Sequence, residues 1–127
     1  MQEKTLYEYA VIRVVPRVER DEFLNVGLIM YCGKQKFLKA QFDLNELRLK
    51  AAFGELDFEE LETNLRSFQR ICQGGADGGP IAKLDMPSRF RWLTAKRSTV
   101  VQTSRVCTGL CLNADETFQK LYKEQIL

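Results

Sequence analysis

LYEYAVIRVV, residues 6–15, decides the fold. Its aromatic and β-branched residues suit a pleated surface, and the period is two. Tyr7, Tyr9, Val11, Arg13 and Val15 fall on one face, and Leu6, Glu8, Ala10, Ile12 and Val14 on the other. Pro16 has no backbone N–H to give to a ladder and ends the run. A charged corner follows, from Arg17 to Glu22, and then a second apolar run, FLNVGLIMYC, residues 23–32. Gly33-Lys34-Gln35 makes a turn into a third strand, residues 36–42. There Leu38, Ala40 and Phe42 alternate with Lys39 and Gln41, so one side is expected to meet water. The three strands form an antiparallel meander.

Helices come next. DLNE (43–46), DFEE (57–60) and NADE (113–116) each carry a capping pattern, a polar side chain at the helix start with Glu three residues on. Phe58, Leu61, Leu65, Phe68 and Cys72 recur at helical spacing as one apolar stripe, as do Phe118, Leu121, Tyr122 and Ile126. A short helix is expected from Ser88, and a further strand over residues 98–106. The glycine-rich QGGADGGP, residues 73–80, follows a helix and lacks the Lys-Ser or Lys-Thr of a phosphate-binding loop, so it is a connecting loop. The fold class is therefore α+β: a small antiparallel sheet, a three-stranded N-terminal meander plus a later strand, with helices packed mainly on one face. At 127 residues the chain is expected to form one domain with its own core.

The chain has no histidine. That removes Ser–His and Cys–His nucleophile pairs, imidazole general bases and imidazole metal ligands within one chain. Cys32, Cys72, Cys107 and Cys111 are scattered and form no paired CxxC knuckle, so they are taken as reduced thiols of a cytoplasmic protein. The N-terminus lacks a signal peptide and no apolar run is long enough to span a bilayer as a helix. No catalytic residue, cofactor or metal site is assigned.

Charge is unevenly spread. From Met86 to Ala114 there is no acidic residue, while Arg89, Arg91, Lys96, Arg97 and Arg105 are interleaved with Phe90 and Trp92. This basic 89–105 surface is either salt-bridged internally or a site for nucleic acid or a phosphate anion. Glu55, Asp57, Glu59, Glu60 and Glu62 make an acidic run that suits a solvated helix face and its dipole. A third possibility is a metal-dependent hydrolase or phosphoryl-transfer enzyme holding Mg²⁺ on Glu19, Asp21 and Glu22.

YEYAVIRVVPRVERDEFLNVGLIMYC, followed late in the chain by SRFRWLTAKRSTVVQTSRVCTGL, resembles the bacterial DUF3037 family over nearly the whole chain. The resemblance brings no biochemical activity. It implies a small regulatory or interaction module, a partner of a HipA-like serine/threonine kinase. The family pattern falls on Arg13, Pro16, Arg20, Glu22, Asn25 and Gly27, and on Arg89, Trp92, Ser98, Gln102 and Gly109. Cys107 departs from it, standing where the family is expected to carry histidine.

Arg13 raises the functional question. A guanidinium on a mostly apolar strand face needs partners. It is either locked to Glu22 or Asp21 in the corner, or it lines a pocket for an anion or a protein partner with Arg20, Asn25, Arg89 and Trp92. Arg97, Ser98 and Gln102 complete the candidate binding set. Gly27, beside this cluster, leaves room for backbone or ligand. Oligomeric state is left open.

Overall fold

A computed structural model describes residues 3–16, 22–54, 56–75, 78–97 and 99–127. The order is β1 (Thr5–Val14), β2 (Leu24–Cys32), β3 (Phe37–Phe42), α1 (Glu46–Phe53), α2 (Phe58–Gln73), a 3₁₀ turn (Ile81–Lys83), α3 (Met86–Leu93), β4 (Val101–Thr103), β5 (Cys107–Cys111) and α4 (Ala114–Gln125). The sheet is antiparallel in the order β3-β2-β1-β4, and β5 also pairs with β1. The α+β class and the N-terminal meander stand as expected.

Alternation in β1 does what its period requires. Ala10, Ile12 and Val14 enter one core with Leu49 of α1, Leu61, Leu65 and Phe68 of α2, and Phe90 and Leu93 of α3. Val11 enters a second core with Leu28, Met30, Cys32, Phe118, Tyr122 and Ile126. β2 feeds both cores, which is why its run is apolar without interruption. Three helices thus cover one face and α4 covers part of the other. The water-facing side expected for β3 is correspondingly roofed: the Lys39 ammonium sits 4.9 Å from the centre of the Phe118 ring and 3.7 Å from the Asp115 carboxylate. The apolar stripe of α4 had to bury itself, and the face carrying Val11 was the one left open.

Caps fix the helix starts. Asp57 and Asn113 accept from the backbone N–H groups of Glu60 and Glu116, each at 3.0 Å. α1 starts later than expected. Its cap is Asn45, accepting from Arg48 N–H at 3.0 Å, because the Asp43 N–H donates to the Val26 carbonyl at 2.7 Å and extends the β2–β3 ladder. α3 starts earlier, at Met86, with Asp85 as cap and Pro87 in the first turn, where a missing N–H costs nothing. The strand expected over 98–106 is shorter, and β5 follows it unanticipated. Ser104 joins the two: its N–H donates to the Val11 carbonyl and its hydroxyl accepts the Val11 N–H, each at 2.8 Å. Among the described residues no helix is long and apolar enough to cross a membrane.

Candidate functional site

Pairing brings three of the sequence-selected residues into one row. Arg13 is the direct partner of Asn25 on β2 and of Gln102 on β4. Register partners in an antiparallel sheet share a face, and this face is the one bearing Val11, Tyr7 and Tyr9. Between the pairs Ile12–Gly27 and Arg13–Asn25 the β2 strand carries one extra residue, Val26, a bulge of the kind that re-aims side chains at strand ends. Val26 turns into the first core, and Asn25 is thereby set opposite Arg13.

The polar atoms of the row are incompletely used. Arg13 Nε and Asn25 Oδ1 are buried and make no hydrogen bond. One is a donor and the other an acceptor, on neighbouring strands. The Arg13 guanidinium carbon lies 4.0 Å from the centre of the Phe23 ring, a cation–π stack. Phe23 itself is 42% exposed. Gln102 donates to the Thr99 carbonyl at 2.7 Å. Beside Asn25 opens a cleft of about 270 Å³ shared with Asp43, Asn45, Arg48 and Ile126. Tyr7 and Tyr9 continue the face along β1 with ring centres 6.1 Å apart, and burial raises the pKa of both phenols.

Arg89, Trp92 and Arg97 do not join this row. They lie on or just after α3, which packs on the other face of the sheet. The Arg89 Nη1 donates to the carbonyls of Ile71 and Cys72 at 2.9 and 2.8 Å, neutralising the C-terminal end of α2. Its Nε is buried without a hydrogen-bond partner. Gly74 closes α2 at φ 78°, donating to the Arg70 and Ile71 carbonyls, so the glycine-rich stretch begins as a helix cap. Arg91 is paired with Glu8 at 2.9 Å. Arg97 folds back onto the Trp92 carbonyl, its guanidinium 4.4 Å from the Trp92 ring and 5.7 Å from that of Phe68, and burial lowers its pKa. Trp92 stays 42% exposed.

The basic stretch is therefore largely engaged, but with partners other than the acidic run. Among the described residues, Arg66–Glu62 is an i,i+4 pair within α2 and Asp57 is its cap, so these two members of the acidic run serve their own helix; Glu55 lies outside the described residues. Lys96 and Arg105 are exposed. Arg20 and Ser98 lie outside the described residues, as do Glu19 and Asp21 of the Mg²⁺ alternative; Glu22 is described and exposed. Among the described residues no three His, Cys, Asp or Glu side chains are grouped to hold a metal. Gly27 faces the first core, where a Cβ would stand 2.5 Å from the Gln41 carbonyl oxygen. The room it leaves is filled by β3 backbone.

Two features of the site escaped the sequence. Phe23 as the cover of Arg13 depends on the path of the corner, and Glu8 as the partner of Arg91 depends on where α3 docks. The separation of Arg13 from Arg89 and Trp92 follows from the same docking.

Neither the curated proteins nor the solved structures contain a match to this chain. A family model does match, over residues 9–126, and its span takes in β1 through α4, with both the Arg13 row and the α3 segment inside it. The chain belongs to the DUF3037 family, a family described as proteins of unknown function.

Proposed function

We propose that this protein is a non-catalytic interaction module that grips an acidic segment of a protein partner with the Arg13–Asn25–Gln102 row. The observation that carries the proposal is the buried, unused pair of Arg13 Nε and Asn25 Oδ1 on adjacent strands. Unpaired buried polar atoms are costly, at about 1–3 kcal/mol each. Once the exposed Phe23 ring swings off the guanidinium it stacks on and uncovers the row, a peptide carboxylate accepts from the guanidinium and the N–H of the same or the next residue donates to the asparagine oxygen. One acidic residue in an extended segment supplies both. Phe23, exposed beside Arg13, offers the apolar contact that accompanies such recognition. The partner class that the family resemblance implies is a HipA-like serine/threonine kinase.

The alternative, nucleic-acid or phosphate binding on the 89–105 surface, is supported less well. Arg89, Arg91 and Arg97 are committed to carbonyls, a carboxylate and aromatic rings of the chain itself.

The test is purification of the tagged protein from its host extract at low salt, in parallel with Arg13→Gln and Asn25→Ala baits whose melting confirms folding. The wild-type bait is expected to bring down one protein in stoichiometric amount, with a kinase fold, and the variants at least ten-fold less, consistent with the about 2–5 kcal/mol lost when one member of a buried charged pair is truncated. A clean bait alone, or equal recovery with folded variants, rejects the proposal.

A further inference from the structure

Four elements meet around the cleft of about 270 Å³ beside Asn25. β2 opens with Leu24, Asn25 and Val26, Asp43 follows β3, α1 brings its cap Asn45 with Arg48 and Leu49, and Ile126 follows α4. Part of the lining is core: Val26, Leu49 and Ile126 are buried.

Three polar groups on the cleft are unused. Asn25 Oδ1 is buried and makes no hydrogen bond. Asp43 and Arg48 are exposed and oppositely charged, yet among the described residues neither side chain forms an ion pair, with the other or with a third group. Their backbones are fixed independently. The Asp43 N–H donates to the Val26 carbonyl at 2.7 Å, and the Arg48 N–H donates to the Asn45 side chain at 3.0 Å.

This combination selects a ligand. Drug-sized molecules fill pockets of about 300–1,000 Å³, so the cleft suits something smaller. Two acceptors and one guanidinium call for both signs of charge in one molecule. A polyanion is repelled by Asp43, and a simple amine leaves Arg48 unused. We infer that the cleft binds a free α-amino acid with an apolar side chain, its ammonium on Asp43 and Asn25 Oδ1, its carboxylate on Arg48 and its side chain against Leu24, Leu49 and Ile126. Asp43 and Arg48 lie outside the Arg13 row, and an amide oxygen accepts two hydrogen bonds, so the site neither needs the row nor competes with it for Asn25.

Isothermal titration of the full chain with L-leucine is expected to saturate at one per chain, with a Kd of about 1 mM or tighter. L-Leucinamide lacks the carboxylate, 4-methylpentanoate lacks the ammonium, and glycine lacks the apolar side chain. Each is expected to bind weaker by about ten-fold or more. Asp43→Asn and Arg48→Gln change exposed side chains and leave the backbone bonds in place. Both are expected to melt as folded proteins and to lose about ten-fold or more in leucine affinity. In Arg48→Gln, leucine and leucinamide are expected to bind equally. Arg105→Gln, exposed and away from the cleft, is expected to match the wild type. No saturable leucine binding, leucinamide held as tightly as leucine by the wild type, or undiminished affinity in either folded variant overturns the inference.

Discussion

At the scale of single residues, environment sets chemistry that composition leaves open. Four thiols are free, yet Cys32, Cys72 and Cys111 are buried and only Cys107 is partly accessible. Burial pushes the Cys72 thiol up to about 12 and raises that of Cys111. Thiolate is the reactive form, so a thiol reagent at neutral pH is expected to modify Cys107 first and the other three only after unfolding, as peptide mapping of a timed reaction will read. Asp85 moves the other way. Hydrogen bonds from the Ser88 hydroxyl and backbone N–H lower its pKa from 3.8. A carboxyl whose folded value lies below its unfolded value adds stability that is whole above the unfolded value and is lost as pH falls through the folded one. Asp85→Asn keeps a cap and loses the charge, so the stability gap between it and the wild type is expected to close as pH falls below the unfolded value, measured by urea midpoints across that range.

At the scale of elements, what was legible was what local chemistry determines. The parity of β1 placed each of its side chains on the correct face, and the caps at Asp57 and Asn113 lie where the capping pattern put them. What was not legible depended on partners distant in sequence. Asp43 looks like a cap until the β2–β3 ladder claims its N–H. β5 has a glycine and little alternation, and becomes a strand because β1 offers it an edge. Its Gly109 lies beneath the Tyr7 ring, which a Cβ would meet at 2.5 Å, while Gly27 lies against β3 backbone at the same distance. Half-buried Tyr7 is a side chain that can rotate and the β3 carbonyl is not. Gly27→Ala is therefore expected to destabilise the fold by about 1–3 kcal/mol, and Gly109→Ala by less, as paired denaturant titrations will show.

At the scale of the whole molecule, the sheet divides labour between its faces. One is sealed by α1, α2 and α3, and the cations near α3 serve the α2 terminus, Glu8 and Trp92. The other carries α4 over β2 and leaves the Tyr7, Tyr9 and Arg13 line of β1 half-buried. The residues selected from sequence thus split into Arg89 with Arg97, whose contacts are internal, and the row of Arg13 with Asn25 and Gln102, the set proposed for recognition. Sequence grouped them because both are polar residues beside apolar runs, and only the docking of α3 on the opposite face separates them. The central claim is that the second set reads an acidic peptide. Its most direct measurement follows the orphaned atom itself: a ¹H–¹⁵N titration of the Arg13 Nε–H resonance with a short glutamate-rich peptide. Saturable shifts of Arg13 Nε–H together with the Asn25 and Gln102 side-chain amides, absent at exposed Arg105, are the predicted result. An unmoved Arg13 resonance, or equal small shifts at every arginine, contradicts the account.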